Sequence, residues 1–179
     1  ELRVQHGSIE PGTETDVSVA VAGRVMLIRE QGKLTFATMR DRSGEVQLFV
    51  SKAVVGDDEF AAFRDLDLGD WVGVHGTVMA TRKGELSVRV DGWELLAATR
   101  RSFPDKWHGI TDPDLRYRQR YVDLWVTDEA RATFALRSRI VSLTRRWMED
   151  RGYMEVETPV LHPIPGGALA RPFVTHHNA

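Results

Sequence analysis

From Asp16 onward, apolar and polar positions alternate. Val17, Val19, Val21, Gly23, Val25 and Leu27 fall on one side of an extended chain, and Ser18, Ala20, Ala22, Arg24, Met26 and Ile28 on the other. That is the period of two a strand imposes. Gly32–Lys33 reads as a turn, LTFATMR as a second strand, Asp41–Gly44 as another turn and EVQLFVS as a third strand. The spacing then changes, and Phe60, Phe63 and Leu66 place one apolar face on a short helix within DDEFAAFRDL. WVGVHGTVMA, a turn at RKG, and ELSVRV with Leu86, Val88 and Val90 alternating complete the first half. Five strands with a helix between the third and fourth predict an OB-fold, a small partly open barrel, in preference to a generic five-stranded barrel.

Residues 96–115 lose periodicity and contain Pro104, Gly109 and Pro113, which marks a connector. LRYRQRYVDLW follows, with Leu115, Tyr117, Tyr121, Leu124 and Trp125 among Arg116, Arg118 and Arg120. On charge pattern, a solvated amphipathic helix is the better reading than an RNA contact. A second helix is expected after Thr127 as its cap, with Asp128 and Glu129 in the first turn. Phe134, Ile140, Val141, Thr144, Trp147 and Met148 share one face of it, and Gly152 supplies the stop. YMEVET predicts a strand ended by Pro159. The expected fold class is therefore β-rich α+β: a barrel domain over 1–99, a connector over 100–115, and the incomplete start of a second domain over 116–179. A long helix and a strand need a partner surface, from the rest of that domain or from a second copy.

Composition narrows the chemistry. The 179 residues include no cysteine, which removes disulfides, thiolate zinc sites and a cysteine nucleophile. No apolar run approaches the ~20 residues that cross a bilayer, and ELRVQHGSIEPG is not a signal peptide. No membrane contact by this segment is expected. The chain opens without methionine and stops in a loop-like segment, which reads as a piece of something longer. Residues 1–99 carry 11 Lys+Arg against 16 Asp+Glu, whereas residues 100–151 carry 12 against 8. An acidic first half disfavours indiscriminate nucleic-acid binding, which depends on neutralising phosphates. Yet Asp57, Asp58, Glu59, Asp65, Asp67 and Asp70 lie in one segment, so a face away from it can still suit a phosphate backbone. No Walker loop, GxGxxG or defensible nucleophile–base pair occurs, and no catalytic residue is assigned. Adjacent His176 and His177 point apart and lack a third ligand of useful spacing, so no metal site is assigned.

An OB-fold commonly binds single strands on the face of its second and third strands. In the third strand Val46, Leu48 and Val50 are the core set, which turns Glu45, Gln47 and Phe49 outward. If Thr35, Ala37 and Met39 face the core of the second, Phe36 points outward beside Gln47 and near Arg24. An exposed ring stacks a base, an amide reads a base edge and an arginine holds a phosphate. Pattern alone still favours a core Phe36 and an idle Gln47, because phenylalanine is usually interior.

PDKWHGITD, RYRQRYVDL, RGYMEVETPVL and GGALARPFVTHHNA, in this order, resemble the bacterial type of class II lysyl-tRNA synthetases. The resemblance extends back through AGRV, GKLTFATMRD, VQLFV, DLGD and KGELS, from about Val21 to Ala179. It implies an OB-fold that reads the tRNA anticodon through Arg24, Phe36, Gln47 and Glu85, which reverses the interior reading of Phe36. It implies that the segment after the connector begins an antiparallel-sheet catalytic domain. Within that segment GYMEVETPVL resembles motif 1, a dimerisation element, with Ile140, Trp147, Met148 and Pro159 at the interface of a homodimer. Gly167 matches a position lining the lysine pocket. The complete enzyme would activate L-lysine with ATP and magnesium and transfer it to tRNA(Lys) in the cytoplasm. Motifs 2 and 3 would lie beyond Ala179, so the segment itself is expected to be inactive and to hold no cofactor. ELRVQHGSIEPGTETD departs from the usual entry into the OB-fold. That keeps open a membrane-tethered bifunctional lysylphosphatidylglycerol synthetase with a synthetase region, and a stand-alone OB module. Aspartyl- and asparaginyl-tRNA synthetases share the layout but match GGALARPFVTHHN less well.

Overall fold

A computed structural model describes residues 2–101, 110–161, 171, 173, 175 and 176. The chain divides into two units, Glu1–Trp107 and His108–Ala179.

The first unit is built on five strands: β1 (Glu14–Gln31), β2 (Leu34–Arg40), β3 (Glu45–Ser51), β4 (Trp71–Ala80) and β5 (Leu86–Ala97). Their order is β1-β2-β3-β5-β4, and β4 returns to pair with β1, closing a barrel. All pairings are antiparallel except β3 with β5. Short turns set the register. Gly32 adopts φ 62° in the turn that opposes Gln31 to Leu34, a conformation suited to glycine. The Asp41 carboxylate accepts from Ser43 N, Ser43 Oγ and Gly44 N at 2.6, 2.8 and 3.0 Å, shaping the β2–β3 turn. Burial raises the Asp41 pKa, but those hydrogen bonds outweigh it and leave it lowered.

The interior follows the alternation. Ala37 and Met39 of β2, Leu48 and Val50 of β3, and Val88 and Val90 of β5 are buried, with Val25 and Val72. The helices α1 (Leu2–His6), α2 (Lys52–Val55) and α3 (Asp57–Arg64) accompany the barrel; α1 carries no strong periodic signal. Phe60 and Phe63 of α3 enter the core with Leu66 packed against it. The Phe63 ring meets Trp93 edge-on at 5.3 Å, and Trp93 Nε1 donates to Glu59 O at 3.3 Å.

Strand β1 departs from simple alternation. The pairing of β1 with β2 slips between Val25 and Leu27, so Met26 is a bulge residue. A bulge reverses the facing of everything after it. Ile28 therefore packs on the core, whereas strict alternation puts Leu27 on the Val25 side. Arg29 moves to the outer face, opposite Phe36.

In the second unit, the single helix expected over LRYRQRYVDLW is two: α4 (Pro113–Arg118) and α5 (Arg120–Val126), with Gln119 between them at φ −113°, ψ 51°. Across that break the two helices are joined by Asp123, which is fully buried. It accepts from Arg116 Nε at 2.9 Å and Thr127 Oγ1 at 2.9 Å, and pairs with Arg120. Burial raises the Asp123 pKa, yet the hydrogen bonds from Arg116 and Thr127 and the charges of Arg116 and Arg120 hold it lowered overall. Thr127 sits at the N-cap of α6 (Asp128–Glu149), but its hydroxyl serves Asp123 and makes no capping bond. Leu136, Ile140, Val141, Leu143 and Trp147 lie exposed along α6.

The expected strand YMEVET is not formed: residues 153–159 carry no strand pairing. An extended segment becomes a strand only when a neighbour takes its backbone groups, and no described strand lies beside it within this unit. Pro159 is exposed, as are Tyr153, Met154 and Val156. Gly167 lies outside the described residues.

Candidate nucleic-acid interface

The outer face of β2 and β3 carries a groove of about 960 Å³, whose lining includes Arg29, Phe36, Gln47, Phe49, Lys83 and Glu85. The neighbours of Phe36 in the strand, Thr35 and Ala37, are buried. Phe36 is thereby turned outward, half-buried, on the wall of the groove. Its partner across the ladder is Phe49, whose ring meets it edge-on at 5.4 Å with an interplanar angle of 73°. Such a pair prefers this geometry and holds the first ring at a fixed tilt.

Gln47 lies opposite Thr38 on one side and Ser87 on the other. Its Nε2 donates to Ser87 Oγ at 2.9 Å and its Oε1 accepts from Arg29 at 3.1 Å. Glu85 stands at the rim of the same groove, paired with Arg3 of α1 at 2.6 Å; Arg3 Nε also donates to Glu45 O at 3.2 Å. Among the described residues, the groove thus joins an aromatic ring, a two-sided amide, an arginine and a rim carboxylate.

Arg24 is not part of it. Its guanidinium donates to Gly69 O at 2.8 Å and sits over the Trp71 ring at 5.3 Å, and burial lowers its pKa. It pairs with Arg40 at the far end of β2, whereas Phe36 is opposite Arg29. The bulge at Met26 is the reason, because it carries Arg29 to the outer surface five residues after Arg24. No proline or glycine stands at Met26 to announce that bulge, so alternation alone does not show which arginine of β1 lies beside Gln47.

The other expected positions lie elsewhere. Ile140, Trp147 and Met148 are exposed along α6. Among the described residues, no group of three His, Asp or Glu is arranged to hold a metal ion, and no helix is long and apolar enough to cross a membrane.

Comparison with known proteins divides the chain where the structure does. Residues 19–96 match the family of OB-fold nucleic acid binding domains, and residues 112–179 match the class II tRNA synthetases (D, K and N). A lysine–tRNA ligase of Synechococcus sp. (strain RCC307) is 51% identical over 183 residues, covering 100% of this chain and 36% of its own length. One from Cupriavidus pinatubonensis is 52% identical over 180 residues, covering 99% of this chain and 35% of its own. One from Paraburkholderia phymatum is 57% identical over 161 residues, with 90% and 31% covered. The chain spans about a third of the length of the curated relatives it matches. With an OB-fold nucleic-acid-binding domain and a synthetase segment in series, and relatives of this identity across both, the chain belongs to the class II tRNA synthetases of the D, K and N group.

Proposed function

We propose that the outer face of β2 and β3 binds the anticodon of a lysine-accepting tRNA, and that the chain is the anticodon-binding and dimerising part of a lysine–tRNA ligase. The observation that carries this reading is one groove holding Phe36, Gln47, Arg29 and Glu85. An unpaired uridine suits it. The Phe36 ring offers a stacking surface. A glutamine has two N–H donors and two carbonyl lone pairs, and the bonds to Ser87 and Arg29 use one of each. The remaining N–H and lone pair match an imide edge, which presents one donor beside carbonyl acceptors. Arg29 adds a positive charge for a phosphate or a base carbonyl, and Glu85 an acceptor at the rim. Arg29 takes the role that strand alternation suggests for Arg24.

Phe36→Ala should weaken binding of a lysine-anticodon stem-loop by about 1–3 kcal/mol, the range for one lost base stack. Titration by fluorescence anisotropy measures it; unchanged affinity would remove this face from the interface. Comparison with unrelated single strands separates anticodon reading from a general single-strand module, which equal affinity would favour.

The activity belongs to the longer protein. That protein would form lysyl-adenylate from lysine and ATP with magnesium, then transfer the lysyl group to the tRNA 3′ end in the cytoplasm, with Gly167 lining the lysine pocket. Pyrophosphate exchange with lysine against aspartate is the test, and exchange with aspartate alone would overturn the specificity. The exposed apolar side of α6, including Ile140 and Trp147, supports a dimer contact continued through Pro159.

A further inference from the structure

We infer that Ser87, a fully buried serine on β5, is a specificity-determining positioning residue: it fixes which end of the Gln47 amide faces which way, and so makes the site read uridine rather than cytidine. The inference rests on the proposal that this groove reads an anticodon.

Ser87 has no exposed surface and lies beside Gln47 in the parallel β3–β5 ladder. A hydroxyl has one proton to give. Ser87 Oγ donates it to Glu85 O at 3.1 Å, so toward Gln47 it acts as acceptor, and Nε2 is the end that turns to it at 2.9 Å. Arg29 has only donors, so Oε1 is the end that turns to Arg29 at 3.1 Å. The two partners therefore favour the same amide orientation from opposite sides. Burial of Ser87 keeps water from replacing it.

Orientation matters because turning an amide through half a circle exchanges its donor and acceptor. Uracil offers N3–H and carbonyl oxygens on its pairing edge, whereas cytosine offers a bare N3 and an amino group at C4. An amide that turns freely can meet either edge. An amide held one way meets one of them with two hydrogen bonds and meets the other donor-to-donor. Arg29 is exposed and holds one end from solvent; Ser87 holds the other from the core. The serine is thus the part of the device that a mobile side chain does not supply.

Ser87→Ala is a mild test. It removes the hydroxyl without adding volume, and Glu85 O keeps a second donor, Thr81 N at 2.9 Å. Binding of the chain to a uridine-containing lysine-anticodon stem-loop would be compared with versions carrying cytidine at each anticodon position in turn. At the position served by Gln47, Ser87→Ala should reduce the uridine-over-cytidine affinity ratio by about threefold to tenfold, the worth of one hydrogen bond. Loss should come mainly through tighter cytidine binding. In a Gln47→Ala background the same substitution should leave the ratio unchanged, an outcome that a general loosening of the barrel would not produce. Thermal unfolding of each variant confirms an intact barrel. A wild-type ratio retained in Ser87→Ala would overturn the inference while leaving the anticodon reading in place. A wild-type chain that does not separate uridine from cytidine at any position would overturn both.

Discussion

At the scale of single residues, Thr35 opposes its own packing. Thr35 is fully buried in the wall of β2, and among the described residues its Oγ1 has no hydrogen-bond partner. A buried hydroxyl without a partner costs about 1–3 kcal/mol, so Thr35→Val, which keeps the branched shape, should raise stability by about 1 kcal/mol. Denaturant unfolding measures the gain, and a loss would mean that the hydroxyl is satisfied. The two arginines of β1 give a sharper contrast. Arg29→Ala should lower stem-loop affinity, because it removes the charge beside Phe36 and one restraint on Gln47. Arg24→Ala should instead lower stability, through the lost bond to Gly69 and the lost contact with Trp71. Equal loss of binding in both would contradict the division. Alternation in two regular strands put Phe36 and Gln47 on one face, but pattern alone favoured an interior Phe36, and only the family resemblance turned that face outward. Arg29 was not legible, because the Met26 bulge is decided by pairing with β2 rather than by any residue in β1 alone.

At the scale of elements, Asp123 organises the start of the second unit. It joins Arg116 of α4, Arg120 of α5 and Thr127 before α6, and so ties the two short helices together across the break at Gln119. Asp123→Asn leaves both guanidinium groups without their carboxylate and should cost about 1–3 kcal/mol, the scale of charge-assisted hydrogen bonds. The far-UV helical signal follows this unit, since the barrel contributes little helix. The folded carboxyl has a lowered pKa, so its contribution is full above the unfolded carboxylate value of about 4. It is lost as pH falls through the lower folded value. The wild type should therefore lose helix stability below about pH 4 more steeply than Asp123→Asn. Parallel pH profiles would show that the ion cluster is not what holds α4 and α5. Sequence spacing recovered α6 and its apolar face. It did not show that Thr127 gives its hydroxyl to Asp123 rather than to the helix end.

At the scale of the whole molecule, the acidic segment and the groove occupy different parts of the barrel. Asp57, Asp58 and Glu59 begin α3 between β3 and β4, whereas Arg3, Arg29, Arg82 and Lys83 line the groove. An overall charge of −2 is thus compatible with binding a phosphate backbone on one side. The exposed apolar row of α6 belongs to this scale as well, since a contiguous apolar surface on a chain marks a contact. Sedimentation equilibrium should show self-association that weakens in Ile140→Glu/Trp147→Glu. A monomer at every concentration tested would remove α6 as a dimer contact.

Local pattern was enough to determine the succession of five strands, the helix between β3 and β4 and the turns at Gly32 and Gly44, and it set the two faces of β2 and β3; that Phe36 belongs to the outer face came from the family resemblance and not from the pattern. The features set by pattern depend on residue periodicity and on turn chemistry, which act over a few neighbours. Only the tertiary structure decided the phase of β1 after its bulge, the arginine that reaches Gln47, the serine beneath it and the carboxylate that ties α4 to α5. Each of these depends on a hydrogen bond between residues brought together by the fold, and whether YMEVET becomes a strand likewise depends on a neighbouring chain segment to pair with it.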